Sequence, residues 1–140
     1  MDDAIVLEYN VDASDFTRAG EASSDVKKKL KQMGVNPGVI RKVAIAMYEG
    51  EINMVIHAEG GEIKVFITPC DITMILKDVG PGIPDIEKAM QAGWSTAPEE
   101  VRNLGFGAGM GLPNMKKNTD SMKIETEIGK GTTITMVVNM

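Results

Sequence analysis

Apolar residues along this chain fall into two rhythms. A spacing of two marks strands, and a spacing of three and four marks helices. Ala4-Ile-Val-Leu-Glu-Tyr-Asn10 alternates loosely and is rich in strand formers, which predicts a first strand, with Asp12 or Ser14 as the cap after it. From residue 15 to about residue 33, Phe16, Ala19, Val26, Leu30 and Met33 keep a helical spacing that Gly34 stops. Asn36-Pro37 then opens a second helix, with Asn as cap and Pro in the first turn, running to about His57. Glu59-Gly-Gly-Glu62 predicts a turn. After it, Ile63, Val65 and Ile67, and then Ile72, Met74 and Leu76, alternate as in two antiparallel strands joined at Pro69-Cys70. Residues 79–110 are rich in glycine and include Pro81, Pro84 and Pro98, with a short helix-like piece only at 83–90; so long a loop is usually functional or mobile. Residues 111–118 read as a helix. Residues 123–128 and 132–138 read as a closing hairpin turned at Gly129-Lys-Gly131. This order predicts an α+β two-layer sandwich: a mixed, mostly antiparallel sheet covered on one face by about three helices.

The second helix carries polar groups where a packed helix has little use for them. Glu49, Asn53 and His57 are four residues apart, so at roughly 100° per residue they form one stripe, flanked by Ile45, Ile52 and Ile56 on one side and Val43, Ala46, Met47 and Met54 on the other. A carboxylate and a carboxamide in such surroundings need partners, which a salt-bridged core, a ligand or a metal can supply. Gly50, beside Glu49, points to a close neighbour that leaves no room for a side chain, because a helix-interior glycine costs about 1 kcal/mol relative to alanine.

At 140 residues the chain has the length of one domain, residues 1–140. Its net charge of −5 argues against a nucleic-acid partner, and Lys27-Lys-Lys-Leu-Lys31 reads as a solvated helix face. No apolar run approaches the roughly 20 residues of a membrane span, and two acids stand where a signal peptide has bases, so the expectation is a cytoplasmic protein without a membrane partner. Cys70, the only cysteine, is expected to be buried or half-buried; with one histidine besides, a metal must be held by oxygen and is magnesium or calcium rather than zinc. Met110, Met115 and Met122 lie in or near the glycine-rich region and suit a surface that repacks.

Gly105-Phe-Gly-Ala-Gly-Met-Gly111 ends where a helix begins, so free N–H groups and the helix dipole converge there as in an anion site. It matches neither the dinucleotide fingerprint nor the P-loop. Asp78-Val-Gly-Pro-Gly82 comes after a strand and reads either as a turn or as a fixed carboxylate able to accept a hydrogen bond from an exocyclic amine such as that of adenine. Ser95-Thr96, after Trp94, and Thr132-Thr133 add hydroxyls.

Taken in order, Glu49-x-x-x-Asn53-x-x-x-His57, Asp78-x-Gly80-x-Gly82, Gly107-x-Gly109-x-Gly111-Leu112 and Gly131-Thr-Thr133 resemble the GHKL (Bergerat-fold) ATPase superfamily. Within it the chain looks like the anti-sigma factor serine/threonine kinases and stress-switch kinases of Gram-positive bacteria. The resemblance implies ATP or ADP with Mg2+ as cofactors. Glu49 would be the general base and Asn53 the magnesium ligand. Asp78 would receive the adenine amine, Gly80 and Gly82 would shape the base pocket, and Ser95 and Thr96 would add contacts. Gly107, Gly109 and Gly111, followed by Leu112, would form a lid over the phosphates, and Thr132 would back the adenine. The implied activity is phosphorylation of a small STAS-type antagonist protein by an anti-sigma or partner-switching regulator. The alternative is a nucleotide-gated module that sequesters a sigma factor without turnover. The first strand, as an edge, offers pairing across a two-fold axis in a homodimer.

Overall fold

The two-residue rhythm forms five strands in one sheet. In the computed structural model, which describes residues 4–12, 19–56, 58–80, 82 and 111–140, these are β1 (Ile5–Asp12), β2 (Gly60–Ile67), β3 (Asp71–Asp78), β4 (Ser121–Glu127) and β5 (Gly131–Asn139). Their order across the sheet is β1-β2-β3-β5-β4, and every pairing among them is antiparallel, so the described sheet has no parallel component. β1 is an edge strand as expected, but it runs two residues past Asn10 and ends at Asp12; Ser14 lies outside the described residues. β2 starts at Gly60, so Gly60 and Gly61 belong to the ladder rather than to a turn, with Gly61 opposite Asp78.

Among the described residues three helices accompany the sheet: α1 (Glu21–Gln32), α2 (Pro37–Ile56) and α3 (Gly111–Lys117). The core lies between them and one sheet face, where Ile63 and Val65 of β2, Ile72, Met74 and Leu76 of β3, and Met136 and Val138 of β5 meet Val26, Leu30, Val43 and Met47. Alternation explains why: in each strand every second residue faces the helices. The start of α2 shows the expected chemistry, with Asn36 Oδ1 accepting from the Gly38 N–H at 2.8 Å.

Two sequence expectations fail for identifiable reasons. Cys70 is exposed, because it sits in the tight connection between β2 and β3, where Thr68 Oγ1 accepts from its N–H and the side chain has no sheet face to join. Met115 is fully buried, wedged where α3 meets α2, and Met122 is half-buried; neither forms a loose surface, and Met110 lies outside the described residues.

The start of α1 is set from a distance. Helical spacing suggested a helix from residue 15; residues 15–18 lie outside the described residues, while Ala19 and Gly20 form a turn and α1 runs from Glu21. Gly20, at the N-cap, has no side chain to offer. The cap comes from α2: Glu51, 3% exposed, accepts the N–H groups of Gly20 (2.9 Å), Ala22 (3.1 Å) and Ser23 (3.0 Å). A carboxylate at a helix N-terminus satisfies orphan donors and faces the positive end of the dipole. Replacing Glu51 by Ala strands three buried donors, so we expect Glu51→Ala to lower stability by about 3 kcal/mol, on the scale of charged hydrogen bonds. Urea unfolding followed by circular dichroism measures this; a loss below about 0.5 kcal/mol, the range of an ordinary surface change, would show that water replaces the carboxylate.

Candidate functional site

The polar stripe of α2 is half-buried. Glu49 and Asn53 sit at intermediate exposure, one helical turn apart, while His57 lies outside the described residues. Glu49 Oε1 accepts a hydrogen bond from Asn114 Nδ2 of α3 at 3.4 Å, near the long limit for such a bond. Burial pushes the Glu49 carboxyl above the usual glutamate value, and the Asn114 hydrogen bond offsets only part of that rise. Its tight seat comes from Gly50, as the sequence suggested: a Cβ there would lie 2.4 Å from Leu76 Cδ2 of β3 and 3.4 Å from Met115 Sδ of α3.

Asp78 ends β3 and is fixed by β5. Its Oδ1 accepts the Thr132 N–H at 2.7 Å, and burial raises its pKa while that backbone bond lowers it in part. Oδ2 accepts no hydrogen bond among the described residues. Thr132, 5% exposed, shares a hydroxyl–hydroxyl hydrogen bond of 2.9 Å with Thr126 of β4. Gly131, at φ +146°, makes this approach possible, since a Cβ there would lie 2.3 Å from the Asp78 carbonyl oxygen and 3.0 Å from Oδ1. The Gly80 N–H donates to the Lys130 carbonyl at 3.2 Å, and Gly82 lies with its backbone against the Glu127 carbonyl, so both run along the β4–β5 turn. α2 reaches the same end of the sheet: Met54, next to Asn53, points its Cε at Gly61, the strand partner of Asp78.

The described structure thus gathers Glu49, Asn53, Asp78, Gly80, Gly82 and Thr132 where α2 overlies the ends of β3 and β5. Gly111 opens α3 and Leu112 is buried in the core. Ser95, Thr96, Gly107 and Gly109 lie outside the described residues. Sequence reasoning missed Asn114, whose only signal was its place one turn after the glycine segment. It also missed Thr126, and it gave Gly131 a place in the closing turn and in the Gly131-Thr-Thr133 motif but no role of its own.

A family model described as "Histidine kinase-, DNA gyrase B-, and HSP90-like ATPase" matches residues 38–140, from the start of α2 to the end of the chain. The chain belongs to this ATPase family. It is similar to the anti-sigma F factor of Thermoanaerobacter sp. (strain X514), 38% identical over 102 residues that cover 69% of this chain and 68% of that one. The anti-sigma F factor of Geobacillus stearothermophilus is 32% identical over 111 residues, covering 75% and 73%. A solved structure, the mycobacterial sensor histidine kinase MprB, superposes with a TM-score of 0.56 over 96% of this chain and 97% of that one; at 15% identity the likeness is one of fold.

Nucleotide binding is the property this ATPase family implies, and a metal bound with the nucleotide is tested by the donors present. Among the described residues no three His, Cys, Asp or Glu side chains converge as a metal cage. Glu49 and Asn53 offer only hard oxygens. Such a donor set fits magnesium, which takes one or two protein oxygens and completes its shell with phosphates and water.

The raised Glu49 pKa carries a stability consequence with a definite sign. The folded chain holds the Glu49 proton more tightly than the unfolded chain does, so ionisation opposes folding. That penalty is absent below the ordinary value of 4.5 and develops as pH rises through the higher folded value. Glu49→Gln should therefore raise the thermal midpoint near neutral pH and leave it unchanged below the ordinary glutamate range. An equal gain at both pH values would remove the desolvated carboxylate as its cause.

Proposed function

We propose that this chain is an ATP-dependent serine/threonine protein kinase of the partner-switching kind: it transfers the γ-phosphoryl group of ATP to a hydroxyl of a small STAS-type antagonist and, with nucleotide bound, holds a sigma factor. The observation that carries the reading is the condition of Glu49. A desolvated carboxylate with one weak partner, a turn from Asn53 on the helix that reaches the Asp78 end of the sheet, has the form of a general base.

In this reading Asp78 Oδ2 accepts the exocyclic amine of adenine while Oδ1 stays on the Thr132 N–H, so the Asp78 carboxylate cannot turn away. Gly80 and Gly82 floor the base, and Thr132 with Thr126 backs it. The phosphates lie toward the start of α3, where Gly111 opens the helix and, with Gly107 and Gly109, belongs to the proposed lid; Ser95 and Thr96 complete the contacts proposed from sequence. Asn53 would hold Mg2+, which when bound neutralises phosphate charge and orients the phosphoryl group. Glu49 takes the proton of the attacking hydroxyl as that oxygen bonds to phosphorus, and ADP leaves with the electrons of the broken bridge. A raised pKa suits the role, because a base nearer the working pH accepts the proton with a better driving force.

The similarity to anti-sigma F factors supplies the partner class. No helix among the described residues is long and apolar enough to cross a membrane, and a cytoplasmic place is part of the proposal. A second reading has its own observation: Asn114 already occupies one Glu49 oxygen, which suits a nucleotide-gated module that holds a sigma factor without turnover.

Labelled ATP with magnesium and the antagonist encoded nearest this chain should give a labelled antagonist. Glu49→Gln is expected to keep nucleotide affinity and lose transfer by about 10²-fold or more. Transfer at the parent rate would show that Glu49 is not the base; no transfer, with sigma-factor binding that survives Glu49→Ala, would select the second reading. Calorimetry addresses the adenine contact separately: Asp78→Asn should abolish the heat of ADP binding, and an unchanged isotherm would take the base pocket away from Asp78.

A further inference from the structure

The acidic net charge of this chain conceals a strongly basic end. Residues 26–48 hold six of the fifteen Lys and Arg residues and none of the twenty acids, so the rest of the chain, nine bases against twenty acids, carries −11. The fold keeps that segment together. Glu51 of α2 binds the first turn of α1, and only residues 33–36 link the two helices, so α1 and α2 form an antiparallel hairpin. At the turn, the Gly34 N–H returns to the Lys31 carbonyl and the Val35 N–H to the Leu30 carbonyl, at 3.1 Å each. Lys27, Lys28 and Lys31 of α1 and Arg41 and Lys42 of α2 therefore all lie in the half of the hairpin nearest its turn.

All five are exposed, and none forms an ion pair among the described residues. Lys29 is different: it pairs with Asp25 at 2.7 Å and lies 5.7 Å from the centre of the Tyr9 ring, so its charge is already used inside the fold. At the apex Met33 is 41% exposed, with Val35 and Val39 half-buried next to it. An exposed apolar apex on a hairpin whose two helices carry Lys and Arg without ion pairs matches an interface with an apolar centre and a polar rim.

We infer that the α1–α2 hairpin tip is a docking surface for an acidic face of a partner protein. Three observations favour a protein over a nucleic acid or an anionic membrane. The basic end is small and is followed by a body of charge −11, which repels an extended polyanion on either side of the contact. Its centre is a methionine, which gains from apolar contact and nothing from phosphate. No aromatic residue occurs between residues 26 and 47 to stack on a base. Arg41 lies eight residues before Glu49, about 12 Å along the helix, so the tip is a separate surface from the α2 stripe. The unpaired charges would speed encounter and set orientation, and the apolar centre would supply the contact that lasts.

The test uses the full chain and a fluorescein-labelled peptide rich in Asp and Glu with a central pair of leucines, read by anisotropy at rising salt. A short DNA duplex and phosphatidylserine-containing vesicles are run alongside. The expected result is peptide binding that weakens steeply with salt, is tighter than binding to the duplex or vesicles, and falls about tenfold or more in Lys31→Glu/Arg41→Glu. The variant should keep the parent's thermal midpoint, because both side chains are exposed and unpaired. Met33→Ser should weaken binding without changing its salt dependence. Absence of peptide binding at low salt, peptide binding that survives the charge reversal, or tighter binding to DNA or vesicles would each overturn the proposal.

Discussion

Everything at the site depends on how closely α2 lies on β3. Gly50 fixes that distance, because any side chain at this position would have to occupy the space of Leu76 Cδ2. Leu76 is itself buried and held by its neighbours, so it has little freedom to give way. The glycine weakens helix propensity by about 1 kcal/mol, and the contact it allows brings the Glu49–Asn53 stripe down to the level of the sheet ends. Met115 reaches the same spot from α3. One missing methyl group thus lets three elements meet, and Asn114, the neighbour of Met115, comes within reach of Glu49 as a result.

Glu49 and Glu51 show how one helix serves two sides. Two residues apart, they are separated by roughly 200° around the axis and face opposite ways. Glu51 is saturated by three backbone donors and ties α1 to α2. Glu49 has one long hydrogen bond and is held at a cost, with its proton bound more tightly than in water. Stability and unsatisfied polarity are separated by half a turn of backbone, as expected where a fold tolerates local strain for a site. Because α2 is the common wall, a change in the seating of α1 must pass through the helix that carries Glu49.

The sheet was legible because alternation is local. Each strand announces its own buried face, and the ends moved by only a few residues when pairing partners were considered. The helix stripe and the tight place at Gly50 were legible for the same reason. What the sequence hid was tertiary. Ala19 continues the period of α1, but the helix starts where Glu51 can bind it, and that carboxylate lies about thirty residues further along the chain. Met115 looked adaptable because unbranched residues near glycines often are; its complete burial results from α3 packing on α2. Asn114 and Thr126 acquire meaning only beside Glu49 and Thr132.

The pairing of Asp78 with Thr132 explains why Gly131 and Thr132 stand together after the last turn. Gly131 must lack a side chain for β5 to pass the end of β3, and only then does the Thr132 N–H reach Oδ1. A carboxylate anchored by backbone on one oxygen has a fixed plane, so the direction in which the other oxygen can accept is also fixed. Geometry of that kind selects a planar donor such as an aromatic amine over a flexible one, because a flexible donor loses rotational entropy that a ring does not have. The Asp78 end of the candidate site is therefore set by two strands and a turn, the elements least able to shift. The Glu49 end is set by packing between helices and a sheet.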